Sequence, residues 1–131
     1  MLIPAAFQVA APFGADVGGA NVAFFGFMPA SEYDSWITVG ITGGDASGEM
    51  ASIGIDFASW DLTSGLRVTD GAIFYMDPSA GPSGDVVLAQ LTVPTDAGGS
   101  SRIFSCGCQG RTAGAAQGSD YQQHGITFEL P

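Results

Sequence analysis

The chain contains no lysine. Its whole basic complement is Arg67, Arg102 and Arg111, set against thirteen acids, for a formal net charge of −10 over 131 residues. Nucleic acids and anionic lipid surfaces are held by clustered Lys and Arg, so this deficit excludes both as partners. Long apolar runs are missing too. The longest, residues 20–28, stops at Pro29, well short of the roughly 18–20 residues that cross a bilayer, which leaves no candidate for membrane insertion. The single asparagine, Asn21, is followed by Val-Ala and offers no N-glycosylation acceptor.

Catalytic sets are equally scarce. His124 is the only histidine, and no Gly-x-Ser-x-Gly elbow occurs, so a nucleophile–histidine–carboxylate arrangement has little to build on. The glycine-rich stretches follow no phosphate-loop spacing and lack its lysine. With thirteen acids some pair always suits carboxylate hydrolysis, so their number carries no information. The expectation is a protein that is not an enzyme and needs no cofactor.

Apolar residues nonetheless make up 46% of the chain, too many for a disordered acidic tail, and they recur with period two. Ile37, Val39 and Ile41 alternate with Thr38 and Gly40. Ile53, Ile55 and Phe57 alternate with Gly54 and Asp56. Val87, Ala89, Leu91 and Val93 form a third series, and Ile126, Phe128 and Leu130 a fourth. Such alternation marks half-buried strands. Residues 22–28 and 72–76, apolar on both faces, suit central strands, and residues 102–108 form a weaker one. Turn clusters separate them, among them Asp70-Gly71 with its two-residue hairpin signature, residues 96–100 and residues 114–120. No helical stripe is present beyond a short turn near residues 58–62. The pattern predicts an all-β fold, a single antiparallel β-sandwich of seven to nine strands in the jelly-roll or immunoglobulin-like style, with little or no helix.

Within these strands the only charges are Asp56, Arg67, Arg102 and Glu129. Sheet edges are ordinarily guarded by lysine or other charge, because an open edge pairs with any similar strand. Ahead of the expected sandwich, residues 16–131, residues 1–15 are uncharged and held extended by Pro4 and Pro12. An extended apolar arm can add to a neighbour's sheet. The expectation is a structural subunit that self-assembles into a homo-oligomer or polymer, such as a filament, surface coat or shell lattice. Leu2, Ile3, Phe7, Val9 and Phe13 would form its interface, supported by Phe24, Phe25 and Phe27.

The alternative is an extracytoplasmic module binding glycan or calcium. Asp45 and Glu49, and Asp77 and Asp85, place oxygen donors on glycine-rich loops as Ca²⁺ requires, without EF-hand spacing. Trp36, Trp60, Tyr33 and Tyr121 are the aromatics a sugar would stack on, with core filling as the competing role for the tryptophans. Cys106 and Cys108, two apart on a strand, read as two free, half-buried thiols. A redox role or an intermolecular disulfide is the other reading, while a metal site would find in His124 only a third ligand.

Taken together, residues 35–42, 70–78 (Asp-Gly-Ala-Ile-Phe-Tyr-Met-Asp-Pro), 87–94 (Val-Leu-Ala-Gln-Leu-Thr-Val-Pro) and Gln109-Gly110-Arg111 resemble uncharacterised β-rich modules of secreted proteins from aquatic microbes and algae. The likeness covers about residues 20–130. It implies residence outside the cytosol, extracellular, at the cell surface or in an organelle lumen, and carries over no activity and no site residue.

Overall fold

The computed structural model describes residues 1–95, 102–112, 114, 116 and 120–131. The turn expected at residues 96–100 and most of that at 114–120 lie outside them. Among the described residues the fold is β-rich, with no helix beyond four short 3-10 turns. The described strands are β1 (Leu2–Ile3), β2 (Trp36–Ile37), β3 (Met50–Ile53), β4 (Leu66–Arg67), β5 (Ala72–Tyr75), β6 (Ala89–Gln90), β7 (Ile103–Arg111) and β8 (Asp120–Glu129). They form three separate antiparallel sheets, in the order β4-β1-β7-β8 for the largest, with β2-β6 and β3-β5 as two-stranded pairs. Among the described residues no helix is long and apolar enough to cross a membrane.

Residues 1–15 are not a free arm. β1 lies between β4 and β7, with Leu2 opposite both Arg67 and Ser105. Ile3 and Ala6 are wholly buried in a core completed by Ile37, Trp60, Leu66, Val68 and Phe104. The physical reason is that an uncharged segment gains more by filling its own core than by waiting for a neighbour; burying the Ile3 side chain alone is worth about 2–3 kcal/mol. Polar contacts hold the same path. The Trp60 Nε1 donates to Pro4 O at 2.9 Å, the Phe7 amide donates to Thr92 O, and Phe7 O accepts from the Ser35 amide.

Residues 22–28 do not form a central strand. The Asn21 side chain accepts from the Ala23 amide at 2.9 Å, and a 3-10 turn over Val22–Phe24 continues into hydrogen bonds from Phe27 and Met28 back to Phe24 O. A local side-chain acceptor gives the backbone an alternative to a ladder, and here it overrides the apolar pattern. Asp70-Gly71 likewise closes no hairpin, because β4 pairs with β1 while β5 pairs with β3. The strand at Ile37 ends early: Thr38 Oγ1 donates to Ile41 O at 2.5 Å and turns the chain. The series at 126, 128 and 130 does fall on or beside a strand, β8, and Ile103 and Phe104 open β7.

One buried carboxylate organises the segment before Val22. Asp34 is inaccessible to solvent. Its Oδ1 accepts from the Val9 amide and its Oδ2 from the Ala15 amide, both at 2.7 Å, so it brackets residues 9–15. Gly14 sits so close that a Cβ there would lie 2.7 Å from Asp34 Oδ2.

Candidate functional site

The residues expected to form an interface part company in the structure. Leu2 and Ile3 belong to β1, and Phe7 and Val9 are half-buried and tied to Thr92, Ser35 and Asp34. Phe13 and Phe24 are half-buried as well, and of the aromatic group Phe27 is the exposed member. Phe13, Phe24 and Phe27 stack edge to face in a triad with ring centroids 5.4–5.7 Å apart. Phe25 is half-buried, and Phe27 is 64% exposed.

The calcium candidates do not assemble. Asp45 spends both oxygens on the amides of Glu49 and Met50 at 2.8 Å. Asp77 Oδ1 accepts from the Ser79 amide and hydroxyl, which is turn capping. Glu49 and Asp85 are exposed, and among the described residues no three His, Cys, Asp or Glu converge on a metal position. Trp36 and Trp60 are core residues at 5% and 3% exposure, which removes them from any sugar platform, whereas Tyr33 and Tyr121 remain exposed. A shallow groove of about 470 Å³ runs beside Phe24, Asn21 and Met50. Its one charged wall residue is the already committed Asp45.

Cys106 and Cys108 are free and half-buried on β7. Cys106 packs on the core. Burial pushes its thiol up to about 11, with neighbouring Cys108 adding to the rise and the Met1 ammonium partly offsetting it. His124 is not their partner: a Cβ at Gly107, between them, would lie 3.5 Å from His124 Nδ1, and alternation sends Gly107 and the cysteines to opposite faces. A thiol with that pKa is about one part in a thousand thiolate at pH 8, and the thiolate is the reactive form. Iodoacetamide should therefore alkylate Cys106 at least tenfold more slowly in the native protein than in urea, read by peptide mass spectrometry. Equal rates would show that the packing does not shield it.

What the structure presents that the sequence did not place is the margin of β8. This strand is ten residues long and exposed along nearly its whole length. Among the described residues it pairs on one side only, with β7, and no other backbone hydrogen bond reaches its outer margin. Its acids, Asp120 and Glu129, stand at the two ends, and the eight residues between include no Asp, Glu, Lys or Arg. Arg111 Nε donates to Asp120 Oδ1 at 2.6 Å, closing the far end of the β7–β8 ribbon; that exposed pair raises the arginine pKa and lowers the aspartate.

The ladder has one irregularity. Cys106 faces Ile126 while Cys108 faces Gln123, so β8 carries an extra residue opposite Gly107. Gly125, at φ +68°, takes the left-handed conformation such a bulge favours. The bulge divides β8 into residues 120–124 and 126–129. The alternation at 126, 128 and 130 and the missing lysine were the available signals; that this strand ends a sheet was not.

Comparison with protein-family models, curated proteins and solved structures finds no match to this chain.

Proposed function

We propose that this chain is a structural subunit that associates with copies of itself by β-strand addition, and that the β8 edge is where it does so. One observation carries the reading: among the described residues a ten-residue strand pairs on one side only, and it has no Asp, Glu, Lys or Arg between its ends. Unpaired N–H and C=O groups along such a margin are a template for another strand, and proteins that stay monomeric usually guard it. The N-terminal segment supports this role indirectly, as the strand that completes the sheet interior.

We read the three sheets as a β-sandwich. The four-stranded sheet contributes Ile3, Leu66 and Phe104 to a core that Ile37 of β2 and Ala89 of β6 cover. The opposite edge, β4, is only two residues long, so growth beyond a pair needs a second contact. The β3–β5 ribbon offers one: Ala51 lies opposite Phe74, Ile53 opposite Ala72, and Ile53, Phe74 and Met76 are exposed. This apolar face is where pairs would extend into a filament, coat or shell. The acidic, lysine-free composition supports an extracellular or cell-surface setting.

Thr127→Pro tests the edge. It deletes one amide that the antiparallel alternation turns away from β7 and spares the β7–β8 hydrogen bonds. Light scattering coupled to size exclusion should show concentration-dependent association of the parent, weakened at least tenfold in the variant with an unchanged melting curve. A parent that stays monomeric at every concentration, or a variant that associates equally well, defeats the reading.

A further inference from the structure

From the ladder geometry we infer that the partner on β8 is the same strand of a second copy, antiparallel, with the two-fold axis at Phe128. This rests on the edge reading above and adds the register.

The direction of each backbone group follows from two contacts. The Leu130 amide donates to Arg102 O at 2.8 Å, and Arg102 continues the register in which Ile103 faces Glu129 and Phe104 faces Phe128. Hydrogen-bonded and non-hydrogen-bonded pairs alternate in an antiparallel ladder, so Phe128 and Ile126 turn their backbone groups toward β7. Thr127 and Glu129 turn theirs to the open side. Ser105, opposite Thr127, provides the check: its backbone faces away from β8 and meets Leu2 of β1.

Outward-facing residues must meet outward-facing residues. With the axis at Phe128, Thr127 pairs with Glu129 of the second copy, Phe128 with Phe128, and Ile126 with Leu130. The apolar face is then unbroken. Phe104 and Phe128 already lie 5.9 Å apart, centroid to centroid, so a four-ring strip would cross the seam between copies. Phe128 is 45% exposed while Phe104 is 3% exposed, and the seam covers the more open ring of this pair.

The register using the whole strand, with its axis between His124 and Gly125, also matches outward groups, with Thr127 opposite Gln122. It sets Asp120 directly against Glu129 twice, and like charges directly opposed destabilise a pair. It must also run through the bulge at Gly125, which twists the edge. The Phe128-centred register avoids both penalties, and a symmetric edge contact of this kind closes at two copies.

Phe128→Cys, in the 131-residue chain carrying Cys106→Ala and Cys108→Ala, is the test. Residue 128 faces itself in a non-hydrogen-bonded pair, the closer of the two pair types, so mild oxidation should convert most of the protein to a disulfide-linked dimer. Gln122→Cys in the same background should remain monomeric on a non-reducing gel. In the unsubstituted protein at about 1 mM, hydrogen exchange by NMR should slow at least tenfold at the Thr127 and Glu129 amides relative to a dilute sample, independently of whether Phe128→Cys folds. Association without cross-linking at 128, or without protection at 127 and 129, overturns the register and leaves the edge reading standing. A monomer under all conditions overturns both.

Discussion

Deleting residues 1–8 should abolish cooperative unfolding, not merely weaken association. The segment supplies β1, which joins β4 to β7, and the fully buried Ile3 and Ala6. It also supplies the Pro4 carbonyl that satisfies the Trp60 indole. Ile3→Ala isolates the packing contribution. Truncating a buried isoleucine costs about 2–5 kcal/mol, a large share of the roughly 5–15 kcal/mol that holds a domain together. Circular dichroism and tryptophan fluorescence read both variants, since Trp36 and Trp60 report from inside the core. A truncated chain that melts as sharply as the parent, within a few degrees, would show that the segment is an accessory and return it to the role of an intermolecular arm.

The second large effect is expected at Asp34. Its two oxygens each accept a backbone amide, Val9 to Oδ1 and Ala15 to Oδ2, so the site needs two acceptors. Asn offers one acceptor and turns an NH2 against the other amide; Ala offers none. At about 1–3 kcal/mol for each stranded donor, Asp34→Ala should cost roughly 2–5 kcal/mol and Asp34→Asn about half of that. For a chain of this length the alanine variant should melt about 8–20 °C lower.

The same residue sets a pH dependence. Burial raises the Asp34 carboxyl above its ordinary 3.8, against the lowering effect of the Ala15, Val9 and Ser35 amides, with the charge of Asp16 adding slightly to the rise. Asp16 is itself raised by burial. A carboxyl whose folded pKa exceeds its unfolded value holds more protons when native. Its contribution to stability is complete below the unfolded pKa and is lost as pH rises through the folded one. Moderate acidification from pH 7 toward that window should raise the melting temperature, helped by the falling net charge, and Asp34→Asn should show a smaller rise. An identical pH profile in parent and variant would remove Asp34 as the cause.

The period-two pattern and the high glycine and proline content were enough to determine the β-rich class, because composition and alternation are local quantities. The series at 126, 128 and 130 was legible for that reason, and so was the Trp36 and Trp60 core alternative. Pairing was not. Whether residues 1–15 reach a neighbour or fill their own sheet depends on which edges β4 and β7 leave open, and nothing within the segment encodes that. Residues 22–28 look like a strand in hydropathy alone, yet the Asn21 cap outweighs the pattern. Asp34 looks like any loop acid until the fold brings Val9 and Ala15 to its two oxygens. The open margin of β8 is likewise a property of sheet order: a strand's sequence says that it pairs, and only the tertiary arrangement decides on how many sides.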